Sequence, residues 1–281
     1  MSIARLRAQY HRDICERILS APSGIPNIAD RASEASIEIA KGIVARLGYP
    51  LTRKVPTGQS AGRLFEEATS HFLAQAFELV RHLRPGDWCF SVNQDISRFQ
   101  QYEHLAQLRR IVAKNRELAA ALGSDYLVTP DIVVGRYPVS DEEINQSIEV
   151  VSEDNPFCRL TPLRKRNCSK SSIILHASIS CKWTIRSDRA QNIRTEALNL
   201  MRNRKGHVPH AVAVTAEPLP TRLASLAMGT GDLDCVYHFA LVELQQAVKD
   251  VGGQEQLELL AAMIDGRRLR DISDLPLDLA I

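Results

Sequence analysis

Three residues have the types and the order that acid-and-cation chemistry on a phosphate would need: Asp131, Lys182 and Glu196. Asp131 follows Thr129 and Pro130 and stands just ahead of the β-forming run Ile132, Val133 and Val134. Lys182 closes a second stretch, from His176 to Trp183, in which apolar and small polar residues alternate as in a strand. Glu196 lies fourteen residues further on, within a helical pattern of Ile193, Ala197, Leu198 and Met201. Two strands and a helix can bring an acid, an ammonium and a second acid to one end of a sheet. Few hard oxygen ligands leave water on Mg²⁺, and a neighbouring lysine can stabilise an attacking water or the charge developing on phosphorus. A Pro-Asp dipeptide alone carries little, because about one is expected by chance in a chain of this length.

Where that strand gives way to the helix, Arg186, Asp188 and Arg189 fall within four residues, with Ser187 or Asp188 as the expected N-cap. A positive helix end with these groups suits phosphates and base edges. Arginine pairs bidentately with guanine O6 and N7, while a carboxylate accepts from the cytosine N4 amino group, so this set suits G·C pairs. Helix capping and surface ion pairs are the simpler use. Between Arg159 and Lys205, twelve Lys or Arg residues stand against two acids, Asp188 and Glu196; this gives +10 locally and leaves −8 for the rest of a chain whose net charge is +2. Such asymmetry fits a polyanion bound on one face, or a solvated basic surface.

The elements that must position these groups can be read in order. Residues 2–20 form a helix, and ASIEIAKGIVARLG a second, capped by Asp30 or Ser33 and stopped by Gly48 and Pro50. A turn-rich loop with Gln59 leads into a long helix from Arg63 to Leu83, whose first turn carries Glu66 and Glu67 where the helix dipole favours acids. Residues 96–122 read as helical. Pro130 requires the strand at Asp131 to be an edge or to bulge. Residues 138–172 form a polar excursion with a helical DEEINQSIEVV. The strand HAVAVTAE, a helix from Pro220 to Met228, a turn at GTGDLD, and the helices YHFALVELQQAVKDV and EQLELLAAMI complete the chain. These elements predict a single α/β domain over 1–281, a mixed central β-sheet flanked by α-helices.

Composition excludes several classes. Hydrophobic residues at 44% and charged residues at 24% are those of an ordinary globular protein. No run of 18 uncharged apolar residues occurs, and the first residues, MSIARLRAQYHRDICERI, read as an amphipathic helix and not a signal peptide, so a cytoplasmic protein is expected. The six cysteines form no CxxC pair, which favours reduced thiols over zinc or bridges. His207 and His210 in HVPH belong to a loop, and His176 reads as structural. Cys181 lacks a nearby histidine that would make it a nucleophile, and Trp88 and Trp183 read as core. GTGD lacks the lysine of a phosphate-binding loop.

TPDI, a strand ending SxK and a glutamate in the next helix together resemble the PD-(D/E)xK nuclease superfamily, in the variant with its second acid displaced. Ser180 stands where that acid is usual, and Glu196 looks like its replacement. PTGQSAGRLFE, ALGSDYLVTPDI, LHASISCKWTIRSDRAQN, RNRKG, GTGDLDCVYHFAL and DISDLPLDLA are similar to the NgoMIV-type type II restriction endonucleases; residues 88–100 and 138–172 are the exceptions. The resemblance implies a restriction-endonuclease-like fold and Mg²⁺-dependent cleavage of double-stranded DNA, leaving 5′-phosphates. The site implied is a palindrome with a CCGG core, expected to be GCCGGC. By the same resemblance Asp131, Lys182 and Glu196 form the catalytic set with Glu66 as an auxiliary acid, and Asp131 and Glu196 hold the metal. Arg186, Asp188 and Arg189 would read the core, Asp30 and Arg222 the outer pair, and Gln59 the central pairs from the minor groove. A homodimer or homotetramer and a cognate DNA methyltransferase in the host are implied too. The alternatives are a DNA-binding module that has lost activity and a structure-specific repair nuclease on the same scaffold.

Overall fold

Side-chain caps set the helix starts in the N-terminal third. Ser2 accepts from the Arg5 amide at 3.3 Å to cap α1 (Ile3–Arg17), and Ser33 accepts from the Ser36 amide at 3.2 Å to cap α2 (Glu34–Leu47). Gly48 ends α2 at φ 70°, a conformation glycine adopts without steric cost. Thr57 caps α3 (Gly58–Val80), accepting from the Ser60 amide at 3.2 Å. This helix starts ahead of the expected Arg63, because the cap outweighs the poor helix propensity of Gly58 and Gly62. Gln59 is consequently in its first turn and not in a loop, and Glu66 and Glu67 sit in its third turn, beyond the end of the dipole.

The computed structural model describes residues 1–122, 127–167, 173–229, 231–251 and 253–281, with the side chains of Leu122, Asn167 and residues 187–189 also outside the described set. After α3 come β1 (Trp88–Val92), α4 (Glu103–Val112), α5 (Arg116–Leu122), β2 (Ile132–Arg136) and α6 (Asp141–Ile144). Then follow β3 (Ile174–Lys182), α7 (Ser187–Asn203), β4 (His210–Thr215), α8 (Pro220–Ala227) and β5 (Cys235–His238). The chain closes with α9 (Leu241–Val251), α10 (Gln254–Asp265), β6 (Leu269–Asp271) and α11 (Leu275–Asp278).

Among the described residues the strands make one six-stranded sheet in the order β1-β2-β3-β4-β5-β6, antiparallel from β1 to β3 and parallel from β3 to β6. The mixed central sheet flanked by helices is the arrangement expected from the sequence. Leu175 pairs with Gly135 and Ala177 with Val134, so His176 is the extra residue of a β-bulge in β3. The bulge reverses the alternation: Leu175 joins a core with Phe99, Tyr102 and Leu200, while Ala177, Ile179 and Cys181 face the larger core that α1, α2, α3 and α9 cover. The distortion lies at this bulge and not at Pro130, which precedes β2 and costs the ladder no donor.

Several sequence expectations are corrected. β1, β5 and β6 were not expected as strands; Cys235–His238 is buried at every position, so it shows no alternation and merges with the helical pattern behind it. The helical stretch 96–122 divides, because the Asn115 side chain accepts from the Glu117 and Leu118 amides and starts α5 anew. DEEINQSIEVV yields only α6, since Asn145 accepts from the Val150 and Val151 amides and donates to the Val151 carbonyl, folding the chain back. The N-cap of α7 is Arg186 instead of Ser187 or Asp188. Among the described residues no helix is long and apolar enough to cross a membrane, and Cys15, Cys89, Cys181 and Cys235 are free thiols; Cys168 lies outside the described residues.

Candidate active site

Asp131 immediately precedes β2, whose first residue, Ile132, pairs with Ile179 of β3. That register carries the carboxylate to the end of β3. Its Oδ2 accepts from Lys182 Nζ at 2.7 Å and from the Cys181 amide at 2.7 Å. Burial opposes the charge of Lys182, but Asp131 and then Glu196 outweigh it and raise its pKa, so the group stays an ammonium at neutral pH. The Cys181 side chain turns the other way into the core, and burial pushes its thiol up, which removes it from chemistry.

Glu196 projects from the middle of α7 toward the same place. Burial raises its pKa, Lys182 pulls it back, and the charge of Asp131 raises it further. Glu66 of α3 is likewise raised by burial and then by Asp131, against a hydrogen bond from Asn93 Nδ2 at 3.3 Å. Asn93 was not anticipated. It has φ 52°, which asparagine tolerates, and its amide donates to the Asp131 carbonyl at 3.0 Å, so it fixes both the main chain of one acid and the side chain of another.

Gln59, Glu66, Asn93, Lys182 and Glu196 line a cleft of about 440 Å³. A second hollow of about 740 Å³ is lined by Asp30, Ile185, Arg186 and Arg222, and the two share Gly58 and Trp183. Arg222 is paired with Asp30, whose carboxyl is held below its usual range by the Ala32 amide and then by Arg222 and Arg186. Trp183 is buried, with its ring edge-on to Phe65 at 5.1 Å between centroids. Of the expected residues, Gln59, Glu66, Lys182 and Glu196 line the first hollow, with Asp131 bonded to Lys182, and Asp30, Arg186 and Arg222 line the second. The side chains of Asp188 and Arg189 lie outside the described residues, although both belong to the first turn of α7.

The basic segment divides in use. Arg164 is buried and holds Asp141 through two hydrogen bonds, at 2.8 and 2.6 Å, while Arg166 pairs with Asp141 and Glu153. Arg194 faces Asp232 at 3.2 Å and donates to the Ser225 and Met228 carbonyls, each at 2.9 Å. Lys170 lies outside the described residues. Part of the local charge thus holds the protein together.

Among the described residues, no three His, Cys, Asp or Glu side chains converge into a ready-made metal cage. A magnesium-type site needs less, since one or two carboxylates with water and substrate oxygens suffice. The donor set fits such an ion: the charge of Asp131 helps raise the pKa of both Glu66 and Glu196, so negative charge is concentrated beside the Lys182 ammonium.

A mixed sheet with paired acids and a lysine at one strand end, beside a groove of arginines, defines a nuclease of the restriction-endonuclease type. The sequence model of the NgoMIV restriction enzyme family matches residues 10–281. The type II restriction enzyme NgoMIV of Neisseria gonorrhoeae is 48% identical over 284 residues, covering 98% of this chain and 97% of that protein. The chain belongs to the NgoMIV restriction enzyme family and is a type II site-specific deoxyribonuclease.

Proposed function

We propose that the chain hydrolyses double-stranded DNA at a palindrome with a CCGG core, GCCGGC, with Mg²⁺ as cofactor, leaving 5′-phosphates. The observation that carries the reading is the direct contact of Lys182 with Asp131 in a cleft shared with Glu196 and Glu66, next to the hollow of Asp30, Arg186 and Arg222. Asp131 and Glu196 would hold Mg²⁺, which when bound polarises the phosphoryl oxygen and acidifies water. Lys182, kept charged by its acids, stabilises the attacking water or the charge growing on phosphorus. Glu66, tethered by Asn93, serves as the auxiliary acid.

Arg186, Asp188 and Arg189 read the core from the start of α7, and Asp30 with Arg222 reads the outer pair. Gln59, on the first turn of α3, reaches the central pairs from the minor groove. A two-fold site calls for a two-fold protein, a homodimer or homotetramer with one active site per strand. A host DNA methyltransferase that protects the same site is the implied partner, and the cytoplasm, where that DNA lies, is the expected location. An inactive binding module fits less well, because binding DNA gains nothing from acids set near phosphates. Plasmid digestion with Mg²⁺, with a chelator, and on DNA lacking GCCGGC tests the reading. Discrete fragments with 5′-phosphate ends, only with metal and only from DNA holding the site, are expected. Shifted but uncut DNA, or cutting of branched DNA regardless of sequence, would sink it.

A further inference from the structure

Beneath the groove lies a carboxylate that the proposed reaction does not use. Glu217, two residues beyond β4, is fully buried. Its Oε2 accepts from the Ile185 amide at 2.9 Å, and its Oε1 accepts from the Leu219 amide at 3.2 Å. The same Oε2 lies 3.8 Å from Nη1 of Arg222, which also donates to the Ile185 carbonyl at 3.5 Å. One side chain therefore ties the turn between β3 and α7 to the chain entering α8 and to the guanidinium on its first turn.

Burying a carboxylate is costly, and an apolar residue would fill the same space at less cost if packing were the only need. What this carboxylate holds is specific. Ile185 is the neighbour of Arg186 and forms the groove wall, and Arg222 reaches across that groove to Asp30. The two sets of groove arginines come from separate segments, and Glu217 touches both segments.

We infer that Glu217 is a positioning residue for base-pair discrimination: it fixes the β3–α7 turn and the Arg222 guanidinium relative to each other, so that core and flanking contacts meet the duplex in one register. The inference rests on the DNA-reading role proposed for the groove.

Full-length wild type, Glu217→Gln, Arg222→Ala and the double variant should be compared on duplexes carrying the wild-type site and on duplexes with only its outer pair exchanged. KM, kcat and melting temperature are measured for each. Glu217→Gln is expected to raise KM about tenfold and to cut preference for the correct outer pair by about ten- to a hundredfold, the loss falling more on KM than on kcat. The double variant should lose no more outer-pair preference than Arg222→Ala alone. Glu217→Asp, which keeps the charge on a shorter arm, should show the same shift and stands in if the glutamine variant does not fold. A lowered melting temperature with unchanged KM and preference, or additive losses in the double variant, would overturn the inference. A wild type whose cut sites map to no G·C palindrome would instead defeat the reading of the groove, before any variant is made.

Discussion

The contact between Lys182 and Asp131 joins two groups that are individually common and together unusual: an ammonium kept charged by acids around it, and a carboxylate that also receives a main-chain amide. If that pair is catalytic, Lys182→Ala and Asp131→Ala should each lower cleavage by about a thousandfold or more while a gel shift still detects site binding. Turnover close to wild type in either variant would remove the pair from the mechanism. Glu217 allows a separate prediction about pH. Burial pushes its pKa from 4.5 to about 7, so the folded protein keeps this proton longer than the unfolded chain does. Its contribution is fully present below the ordinary carboxylate range and is lost as pH rises through about 7, a change of about 3 kcal/mol. The melting temperature of wild type relative to Glu217→Gln should therefore fall steadily from pH 5 to pH 8. A constant difference would show that the carboxyl does not titrate there.

At the scale of elements, α7 and α8 act as a pair. Arg194 of α7 receives no DNA role here; it donates to the carbonyls that end α8 and faces Asp232. Replacing it with Met should cost about 1 kcal/mol in urea unfolding, because the carbonyls that end α8 lose a charged donor. Gly229→Ala should act in the same direction, since a Cβ there would overlap the Arg194 guanidinium. An unchanged urea midpoint in both would show that the α8 end needs no such clamp. The strand and helix that carry Lys182 and Glu196 were legible in the sequence, because a clear alternation turns into a clear helical spacing. β5 and β6 were not, both being short and β5 buried on both faces, and β1 lies where resemblance failed. Asp131, Lys182 and Glu196 are picked out by their order together with the resemblance to the PD-(D/E)xK nucleases, since a Pro-Asp dipeptide alone carries little. Asn93 and Glu217 are not: the first acts through a left-handed turn that meets β2, the second through amides that folding brings to it.

For the whole molecule, the charge imbalance overstates what meets a polyanion. Arg164, Arg166 and Arg194 are engaged with Asp141, Glu153 and Asp232, so fewer than twelve cations of the basic segment face DNA. The fall of log K with log salt for the cognate duplex should accordingly be shallower, per subunit, than twelve contacts at about 0.9 each would give. A slope at or beyond that product would mean that these ion pairs open on binding. Sedimentation should give an even multiple of the 31.3 kDa chain, and a monomer that cuts both strands would refute the two-fold arrangement. Chain connectivity has an evolutionary corollary. Only three residues separate Lys182 from Arg186, whereas Asp30 and Arg222 approach from distant parts of the chain. If these residues act as proposed, a lineage can exchange its preference at the flanks while its cutting apparatus stays put, but altering the inner letters drags the hydrolytic centre along, so new specificities should arise from the outside in.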